Sequence, residues 1–338
     1  MRAVGYRSPA PIEDPAALED IEIAAPLAAG RDLLVAIRAI SVNPVDTKVR
    51  KSAGPLDGDW RILGWDAAGT VVATGLDATR FKPGDAVFYA GTLGRPGTNA
   101  EFHLVDERIV GTKPATLDWA EAAALPLTAA TAWETLFDRL DIRRPVSGGA
   151  PAILIVGGAG GVGSIAIQLA RQLTDLVVIA TASRPETRDW VSTLGAHHVI
   201  DHSTPLAAQV AALGIGAPSF VFSTTGTGQH LPAIAELIAP QGRFALIDDP
   251  GPLDIGLLKR KSVSTHWEYM FTRSAFETPD MAEQGALLDE VSRLVDAGTL
   301  RTTLAHRFGV INAANLKRAH ALLEGGTARG KIVLEGFD

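Results

Sequence analysis

A glycine-rich turn follows a short apolar segment near the middle of the chain. Ile153 to Val156 has the composition of a buried strand, and the turn Gly158 to Gly163 comes soon after it, ahead of an amphipathic stretch. Backbone amides at the start of a helix attract the anionic phosphates of a dinucleotide, and glycines let the backbone approach them closely. In this context the motif predicts dinucleotide binding, and the alternative is a tight strand-to-helix turn without a ligand. The residues assigned to this site are Gly158, Gly160, Gly161, Val162 and Gly163.

The end of the next strand indicates which dinucleotide is preferred. Sites that prefer NAD place an acidic residue about 20 positions after the glycines, on the adenosine ribose. Here Ala182 stands at that position, and Ser183 and Arg184 offer a hydroxyl and a guanidinium to a 2′-phosphate. We therefore expect NADPH rather than NADH, unless Arg184 is an ordinary solvated residue of the loop before Pro185.

Alternating strands and helices must position these residues. From Ala152 to about Trp267 the sequence reads as six strands separated by helical stretches, which is the α/β pattern of a doubly wound parallel sheet of the Rossmann type. Such sheets bind ligands beyond the carboxyl ends of their strands. We expect the residues that follow the fourth and fifth strands to line the ribose and nicotinamide, namely Ser223, Thr224, Ile247 and Asp248.

Both flanks of this region are rich in β structure. From Met1 to about Lys113, short β segments alternate with turns, which predicts an antiparallel, barrel-like domain, and Gly330 to Leu334 reads as a final strand. A chain of 338 residues exceeds what one hydrophobic core usually supports. The sequence thus predicts a nucleotide domain over residues 127–270, inserted into a β-rich domain made of residues 1–126 and 271–338.

Composition excludes several classes of function. The chain has no cysteine, which rules out disulfides, thiol nucleophiles and thiolate zinc sites. Its formal net charge of -7 disfavours nucleic acid as a partner. The uncharged stretch from Gly148 to Ala170 is long enough to span a bilayer, but its glycines would break a membrane helix, so we expect no membrane span. An amino terminus without an apolar signal segment predicts a cytoplasmic protein.

Motifs over essentially the whole length resemble the medium-chain dehydrogenase/reductase superfamily, and within it the zinc-less quinone oxidoreductases. The motifs that carry the resemblance are Asn43-Pro44-Val45-Asp46-Thr47, Gly64-Trp65-Asp66-Ala67-Ala68-Gly69, Lys82-Pro83-Gly84-Asp85-Ala86-Val87, Asn99-Ala100-Glu101-Phe102, the glycine turn and Gly330-Lys331-Ile332-Val333-Leu334. Other stretches look like a subgroup often labelled zinc-binding alcohol dehydrogenase-like. The resemblance implies a Rossmann domain inserted into a GroES-like catalytic domain, and it assigns Lys331 to the cofactor site.

The zinc ligands of the alcohol dehydrogenases in this superfamily are missing. In those enzymes a Cys opens the segment that corresponds to Asn43, and a His-Glu pair stands where this chain has Trp65-Asp66. Without cysteine, neither the catalytic nor the four-cysteine structural zinc site can form. We therefore expect no metal. One local histidine cluster exists, made of His197, His198 and His202. The resemblance identifies the stretch that contains it as leading into a nucleotide-domain strand.

A site without a Lewis acid suits an acceptor that is already electron-poor. Hydride from the nicotinamide C4 would reduce a quinone or an α,β-unsaturated carbonyl, and the protein would exclude water and donate hydrogen bonds to the oxygen that gains charge. The resemblance places Asn43 beside the nicotinamide, where its amide would donate to the acceptor or the cofactor, and the alternative is that Asn43 is a turn residue before Pro44. Further candidates, each of which also suits a packing or solvated role, are Lys48, Tyr89 and Thr131.

The resemblance also implies an acceptor pocket and an assembly. An apolar wall for an aromatic acceptor would consist of Trp65, Trp267, Met270 and Phe271, although large apolar residues more often belong to a core. The expected function is that of an NADPH-dependent quinone reductase. An enone or alkenal reductase and a non-catalytic NADPH-binding protein remain open. Relatives often pair through the sixth strand, here Ser262 to Trp267, which implies a homodimer.

Overall fold

The computed structural model describes residues 1–56 and 58–337. The chain divides into two compact units. The first, here called the β-rich unit, consists of Met1–Ala130 and Phe271–Asp338, and the second, here called the central unit, is Thr131–Met270. The sequence analysis placed the first division at residues 126 and 127.

The amino-terminal part of the chain is mainly β structure. Its strands are β1 (Arg2–Tyr6), β2 (Glu19–Glu22), β3 (Asp32–Val42), β4 (Arg61–Ile62), β5 (Asp66–Thr74), β6 (Ala86–Ala90), β7 (Phe102–Asp106) and β8 (Val110–Thr112). Its helices are α1 (Pro44–Ser52), α2 (Trp119–Ala123) and α3 (Pro126–Trp133), with 3-10 turns at Pro15–Ala17 and Glu107–Ile109 and a π-helical turn at Glu134–Arg139. In the first half of β3, the buried residues Leu33, Val35 and Ile37 alternate with partly exposed residues, so this half buries one face.

The central unit alternates strands and helices. They are β9 (Ala150–Val156), α4 (Gly161–Leu173), β10 (Val177–Thr181), α5 (Pro185–Thr193), β11 (His198–Ile200), α6 (Leu206–Ala212), β12 (Pro218–Ser223), α7 (Thr227–Leu237), β13 (Arg243–Leu246) and β14 (Ser264–Trp267), with a 3-10 helix at Ile255–Lys261. The six strands are parallel, in the order β11-β10-β9-β12-β13-β14. The prediction of a doubly wound sheet is confirmed.

One predicted strand boundary is wrong in this unit. The sixth strand begins at Ser264 rather than at Ser262, because Ser262 ends the preceding 3-10 helix in the left-handed conformation, with a φ of 51°. A residue in that conformation cannot extend the strand. The uncharged stretch from Gly148 to Ala170 forms β9, the glycine turn and most of α4. Within the described part of the chain, no helix is both long and apolar enough to cross a bilayer.

The carboxy-terminal part returns to the β-rich unit. It contains α8 (Thr272–Ala275), α9 (Glu283–Asp296), β15 (Leu304–Arg307), α10 (Ala313–Glu324) and β16 (Lys331–Glu335). A seven-stranded sheet has the order β15-β16-β3-β5-β6-β8, with β7 also paired to β3, and a three-stranded sheet has the order β2-β1-β4. The strand β16 pairs with β3 antiparallel, so that Ile332 lies opposite Val42. This pairing brings the last strand of the chain beside the segment that opens α1.

Candidate active site

Several glycines of the turn after β9 are required by the fold itself. Gly157 has a φ of +80°, and its N–H donates to the Thr181 hydroxyl at 2.9 Å. A β-carbon on Gly158 would lie 2.9 Å from that of Ala180, and a β-carbon on Gly163 would lie 2.3 Å from the carbonyl oxygen of Gly157. Contacts this short do not occur, so Gly158 lets the turn pack on β10 and Gly163 lets α4 pack on the turn.

Gly160 differs because no neighbouring atom requires it to be glycine. A β-carbon there would meet only the Gly157 carbonyl oxygen, at 3.5 Å, and its φ of -70° suits any residue. The N–H of Ser164 donates to the Gly160 carbonyl at 2.9 Å, so the amides of Gly161 and Val162 come before the hydrogen bonds of α4. Open space beside helix-start amides fits a pyrophosphate, which the backbone can approach closely only where there is no side chain.

Ser183 and Arg184 lie between β10 and α5, both partly buried. The Nε of Arg184 is 3.1 Å from a carboxylate oxygen of Glu186, with 37% of the arginine side chain and 53% of the glutamate side chain exposed. The Arg184 N–H donates to the Thr187 hydroxyl at 3.2 Å, which fixes the backbone at the start of α5. An exposed ion pair of this kind contributes little, so a phosphate dianion would compete effectively with Glu186 for the guanidinium.

A second guanidinium, missed by the sequence analysis, lies one helical turn further on. Arg188 donates to the carbonyl oxygens of Ala182 and Val199, both at 3.1 Å. These bonds tie together the carboxyl ends of β10 and β11. The available signal was the spacing of four residues from Arg184 within a helix that starts at Pro185.

The carboxyl ends of β12 and β13 are joined by a chain of hydroxyl and carboxylate groups. The Thr227 hydroxyl lies 2.7 Å from that of Ser223 and 2.5 Å from Oδ1 of Asp248, whose Oδ2 accepts the Thr227 N–H at 3.0 Å. The Thr224 hydroxyl donates to the last carbonyl of β9 at 2.8 Å, and the Ile247 N–H donates to the Ser223 carbonyl at 3.3 Å. All four residues predicted from these strand ends therefore lie at one edge of the sheet, where Asp248 caps α7.

A buried ionic cluster forms the chemical centre of the β-rich unit. The Lys331 ammonium is 2.9 Å from Oδ2 of Asp66, and it also donates to the side-chain oxygen of Asn43 and, at 3.1 Å, to the Val42 carbonyl. The Asn43 amide donates to the same Asp66 oxygen at 2.8 Å, while the other carboxylate oxygen accepts the Leu127 N–H at 2.7 Å. Asn43, Asp66 and Lys331 are each at most 3% exposed. The predicted site residues Asn43 and Lys331 thus meet on Asp66, whose importance the sequence analysis missed.

A second carboxyl group stands behind this cluster. Asp46 lies in the first turn of α1 and accepts the Asn43 N–H at 2.8 Å. Burial raises the pKa of Asp46 to about 7, and the charge of Asp66 adds to the increase, while the Asn43 N–H and the Lys331 ammonium oppose it. The Asp46 carboxyl therefore exchanges its proton near neutral pH. The pattern Asn-Pro-x-Asp is a helix-start signature that could have located this contact.

Tyr89 is held by a histidine. Its hydroxyl is 3.0 Å from Nδ1 of His103, and the two rings stack with centroids 5.5 Å apart. The Nε2 atom of His103 is 3.0 Å from the Pro96 carbonyl oxygen, which can only accept, so Nε2 carries the proton and Nδ1 accepts from Tyr89. Burial lowers the pKa of His103 to about 4 and raises the pKa of Tyr89 far above its usual range. This arrangement fixes the neutral forms of both side chains.

The remaining two candidates for catalysis differ in exposure. Lys48 is exposed on α1 of the β-rich unit. Thr131 is 5% exposed on α3 and belongs to the central unit, and its carbonyl oxygen accepts the Thr135 hydroxyl at 2.7 Å.

Two of the four predicted apolar wall residues contact each other. Trp65 packs edge-on against Phe271, with ring centroids 6.1 Å apart, and its Nε1 donates to the Thr92 carbonyl at 3.1 Å. Met270 is buried in the central unit, whereas Trp267 is 56% exposed at the end of β14. Within the β-rich unit, Trp65 and Phe271 form a buried aromatic pair.

The arrangement of potential metal ligands can be checked over the described residues. Residues 1–56 and 58–337 contain no group of three or more His, Asp or Glu side chains arranged to hold a metal ion. In the histidine cluster, His197 accepts the Val178 N–H at 2.9 Å, and His202 instead packs edge-on against His230.

Two family models match parts of this chain. Residues 29–115 match the model of the alcohol dehydrogenase GroES-like domain, and residues 194–334 match that of the zinc-binding dehydrogenases. A zinc-type alcohol dehydrogenase-like protein of Staphylococcus aureus (strain MSSA476) is 39% identical, over 99% of each chain.

Solved structures extend these matches. A putative zinc-dependent alcohol dehydrogenase protein from Rhizobium etli CFN 42 is 71% identical, with a TM-score of 0.99 over 100% of this chain and 98% of that chain. A quinone oxidoreductase from Pseudomonas syringae pv. Tomato DC3000 is 26% identical, with a TM-score of 0.82 over 99% of both chains.

Proposed function

Because the chain belongs to the medium-chain dehydrogenase/reductase superfamily, in its zinc-less quinone oxidoreductase-like group, we propose that it is an NADPH-dependent quinone oxidoreductase that works without zinc. The observation that carries this proposal is the position of Lys331. Its ammonium donates hydrogen bonds to the oxygen atoms of Asn43 and Asp66 that would otherwise be available to a metal ion. A buried lysine and a zinc ion would compete for the same carboxylate, and the chain has no thiolate to favour the metal.

The cofactor assignment rests on two features of the central unit. The glycine turn fits a pyrophosphate at Gly160, where no neighbouring atom of the protein excludes a side chain and yet the residue is glycine. Arg184 and Arg188 place two guanidinium groups within one helical turn at the end of β10, where a ribose 2′-phosphate would lie. We expect the fixed Arg188 to contribute charge and the partly exposed Arg184 to bind the phosphate directly.

Hydride transfer requires the protein mainly to bind and position the cofactor and the acceptor. A bound nicotinamide supplies the hydride from C4 to an electron-poor acceptor. The chain's own residues exclude water with the Trp65 and Phe271 rings, and they hold the site rigid through the bonds of Asn43 and Lys331 to Asp66. Asp46 holds an exchangeable proton close to this cluster. Lys48, Tyr89 and Thr131 remain predicted catalytic residues.

The test is a screen of NADPH and NADH oxidation over quinones, enones, aldehydes and aliphatic alcohols, with zinc measured in the same preparation. We expect quinone reduction with NADPH and substoichiometric zinc. Turnover only of enones would replace quinone by enone reduction, and cofactor binding without any turnover would leave a non-catalytic NADPH-binding protein. Stoichiometric zinc with alcohol oxidation would refute the proposal.

The 2′-phosphate site has its own variants. Arg184→Ala should reduce the preference for NADPH over NADH about tenfold, because a charge-assisted bond to phosphate is lost, while Arg184→Lys should keep part of it. Glu186→Gln removes the competing carboxylate and should strengthen NADPH binding. An unchanged preference in the Arg184→Ala variant would contradict the assignment.

We also propose that the chain forms a homodimer through β14. This strand is at the edge of the central sheet, and exposed apolar residues lie on it and near it: Ile255, Leu257, Trp267 and Tyr269. An open edge with exposed aromatic residues favours pairing with a second chain. Light scattering coupled to gel filtration should give twice the mass of 35.5 kDa, and a Trp267→Lys variant should shift it toward the monomer.

A further inference from the structure

The glycine turn has few side chains of its own to hold its shape. From Gly157 to Gly161 the only residue with a β-carbon is Ala159. Glycine loses more conformational freedom on folding than any other residue, so such a turn is costly to order unless other parts of the protein fix it. A site binds more tightly when its donors already point in the right direction before the ligand arrives. Contacts from outside the turn therefore decide how well it is prepared for a ligand.

Ser164 makes one such contact. It lies in the first turn of α4 and is fully buried. Its N–H donates to the Gly160 carbonyl at 2.9 Å, and its hydroxyl lies 3.4 Å from the Ala159 carbonyl oxygen, which is a long, weak contact. Because Ser164 is buried, the Ala159 carbonyl points into the protein and not toward the open space beside Gly160. If this peptide were inverted, its carbonyl oxygen would face that space and repel a phosphate.

A tryptophan from another helix orients the Ser164 hydroxyl. Trp190 lies on α5, partly buried, and its Nε1–H donates to Oγ of Ser164 at 2.8 Å. An indole N–H can only donate, so the Ser164 oxygen accepts, and its own proton is turned away from Trp190. A serine inside a helix usually bonds back to the carbonyl four residues before it, here that of Gly160. Without Trp190, the hydroxyl would be free to rotate to Gly160 and release Ala159.

The helix that carries Trp190 also carries the residues assigned to the other phosphate. Arg184 precedes the first residue of α5, and Arg188 is bonded to the carboxyl ends of β10 and β11. The bond from Trp190 to Ser164 joins α5 to α4, and both helices belong to the central unit. This bond therefore helps to hold the predicted pyrophosphate and 2′-phosphate sites at a fixed separation.

We propose that Trp190 is a positioning residue for the dinucleotide. Its bond to Ser164 holds the Ala159 peptide in place, so that the glycine turn has the shape that receives a pyrophosphate before the cofactor binds. Trp190 acts through Ser164 and not by touching the cofactor. The inference rests on the proposed function for the identity of the ligand, and it goes beyond that function by assigning part of the cofactor affinity to a side chain outside the glycine motif.

The test measures binding of NADPH, NADH and adenosine 2′-monophosphate to the full-length protein by calorimetry. Trp190→Phe removes the N–H and keeps an aromatic ring. It should weaken NADPH and NADH by the same factor, about fivefold, as expected for the loss of one neutral hydrogen bond. Binding of adenosine 2′-monophosphate, which has no pyrophosphate, should change less than about twofold.

Two further variants accompany Trp190→Phe. Ser164→Ala should weaken both dinucleotides by a similar factor, and the double variant should be no weaker than either single variant, because both changes act through one hydroxyl. Trp119→Phe is the matched control, because Trp119 is also a partly buried indole but lies on α2 of the β-rich unit. It should change none of the three affinities.

The outcomes separate this inference from the proposed function. Unchanged dinucleotide affinity in Trp190→Phe would overturn the inference alone. An equal loss for adenosine 2′-monophosphate would also overturn it, because that result indicates general damage to the unit, and so would losses that simply add in the double variant. Should Trp190→Phe fail to fold, Ser164→Ala must show the selective loss by itself. A wild type that binds neither dinucleotide would refute the proposed function and this inference with it.

Discussion

Replacing His103 by Gln should remove an acid-sensitive part of the protein's stability. His103 is 5% exposed, and burial lowers its pKa from the ordinary 6.5 to about 4. As the pH falls below 6.5, the unfolded chain takes up a proton on this ring, whereas the folded chain does not until about pH 4. The contribution of His103 to the free energy of unfolding is therefore present above pH 6.5 and is progressively lost as the pH falls toward 4.

The size of the effect follows from the two pKa values. Each unit of difference corresponds to about 1.4 kcal/mol. The complete loss below pH 4 is therefore roughly 3 kcal/mol, and about 2 kcal/mol of it is lost between pH 7 and pH 5. Burial is what lowers the pKa of the ring, and the bond to the Pro96 carbonyl acts in the opposite direction. The Pro96 carbonyl and the Tyr89 hydroxyl together select the tautomer, since they require one donor and one acceptor nitrogen.

The assay is urea unfolding at pH 7 and pH 5, followed by circular dichroism. The Gln amide can still donate to the Pro96 carbonyl, so the variant should fold, losing about 1 kcal/mol at pH 7 for the missing bond from Tyr89. Between pH 7 and pH 5 it should lose roughly 2 kcal/mol less than wild type. Tyr89→Phe is the control, because it removes the same bond but keeps the titrating ring, and it should keep the pH dependence of wild type.

Nitrogen NMR of the histidine rings checks the cause directly. His103 should remain neutral at pH 5.5, with the proton on Nε2. The reasoning would be refuted by a His103 ring that titrates near pH 6.5, or by a His103→Gln variant whose stability depends on pH as steeply as that of wild type.

Further variants test the glycine turn and the ionic cluster. Gly160→Ala should leave the thermal unfolding temperature within about 2 °C of wild type while weakening cofactor binding at least tenfold. Gly163→Ala should also lower the unfolding temperature. Calorimetry combined with a cofactor titration separates the two variants. Lys331→Met leaves Asp66 buried without its cation and should lower the free energy of unfolding, measured with urea, by about 3–5 kcal/mol. Adding Asp66→Asn should recover part of this loss. A double variant in which the two losses simply add would contradict the coupling. Asp46→Asn removes a carboxyl with a raised pKa, whose contribution declines as the pH rises from 4 to 7, so the variant should gain roughly 2–3 kcal/mol relative to wild type between pH 5 and pH 8 in the same assay.

Local patterns explain which parts of the fold could be predicted. The strand before the glycine turn and the periodic helix after it lie within about twenty residues, and each is specified by its own apolar spacing. The six parallel strands followed from the same kind of signal. The start of β14 was misplaced because Ser262 adopts a left-handed conformation, which residue type did not reveal.

The site in the β-rich unit was only partly predictable for the opposite reason. The resemblance assigned Asn43 as a donor to the acceptor or the cofactor, yet its amide is bonded to Asp66 and its oxygen to Lys331. These contacts join residues far apart in the chain, and the spacing of apolar residues does not predict them.

The pairing of β16 with β3 also has a consequence for how the protein is made. Asp66 precedes Lys331 by 265 residues, and the whole central unit is translated between them. A growing chain on the ribosome therefore holds an Asp66 that has no cation until β16 has been synthesised, whereas the contiguous central unit has all of its strands by residue 267. We expect the central unit to become resistant to protease on the ribosome before the β-rich unit does.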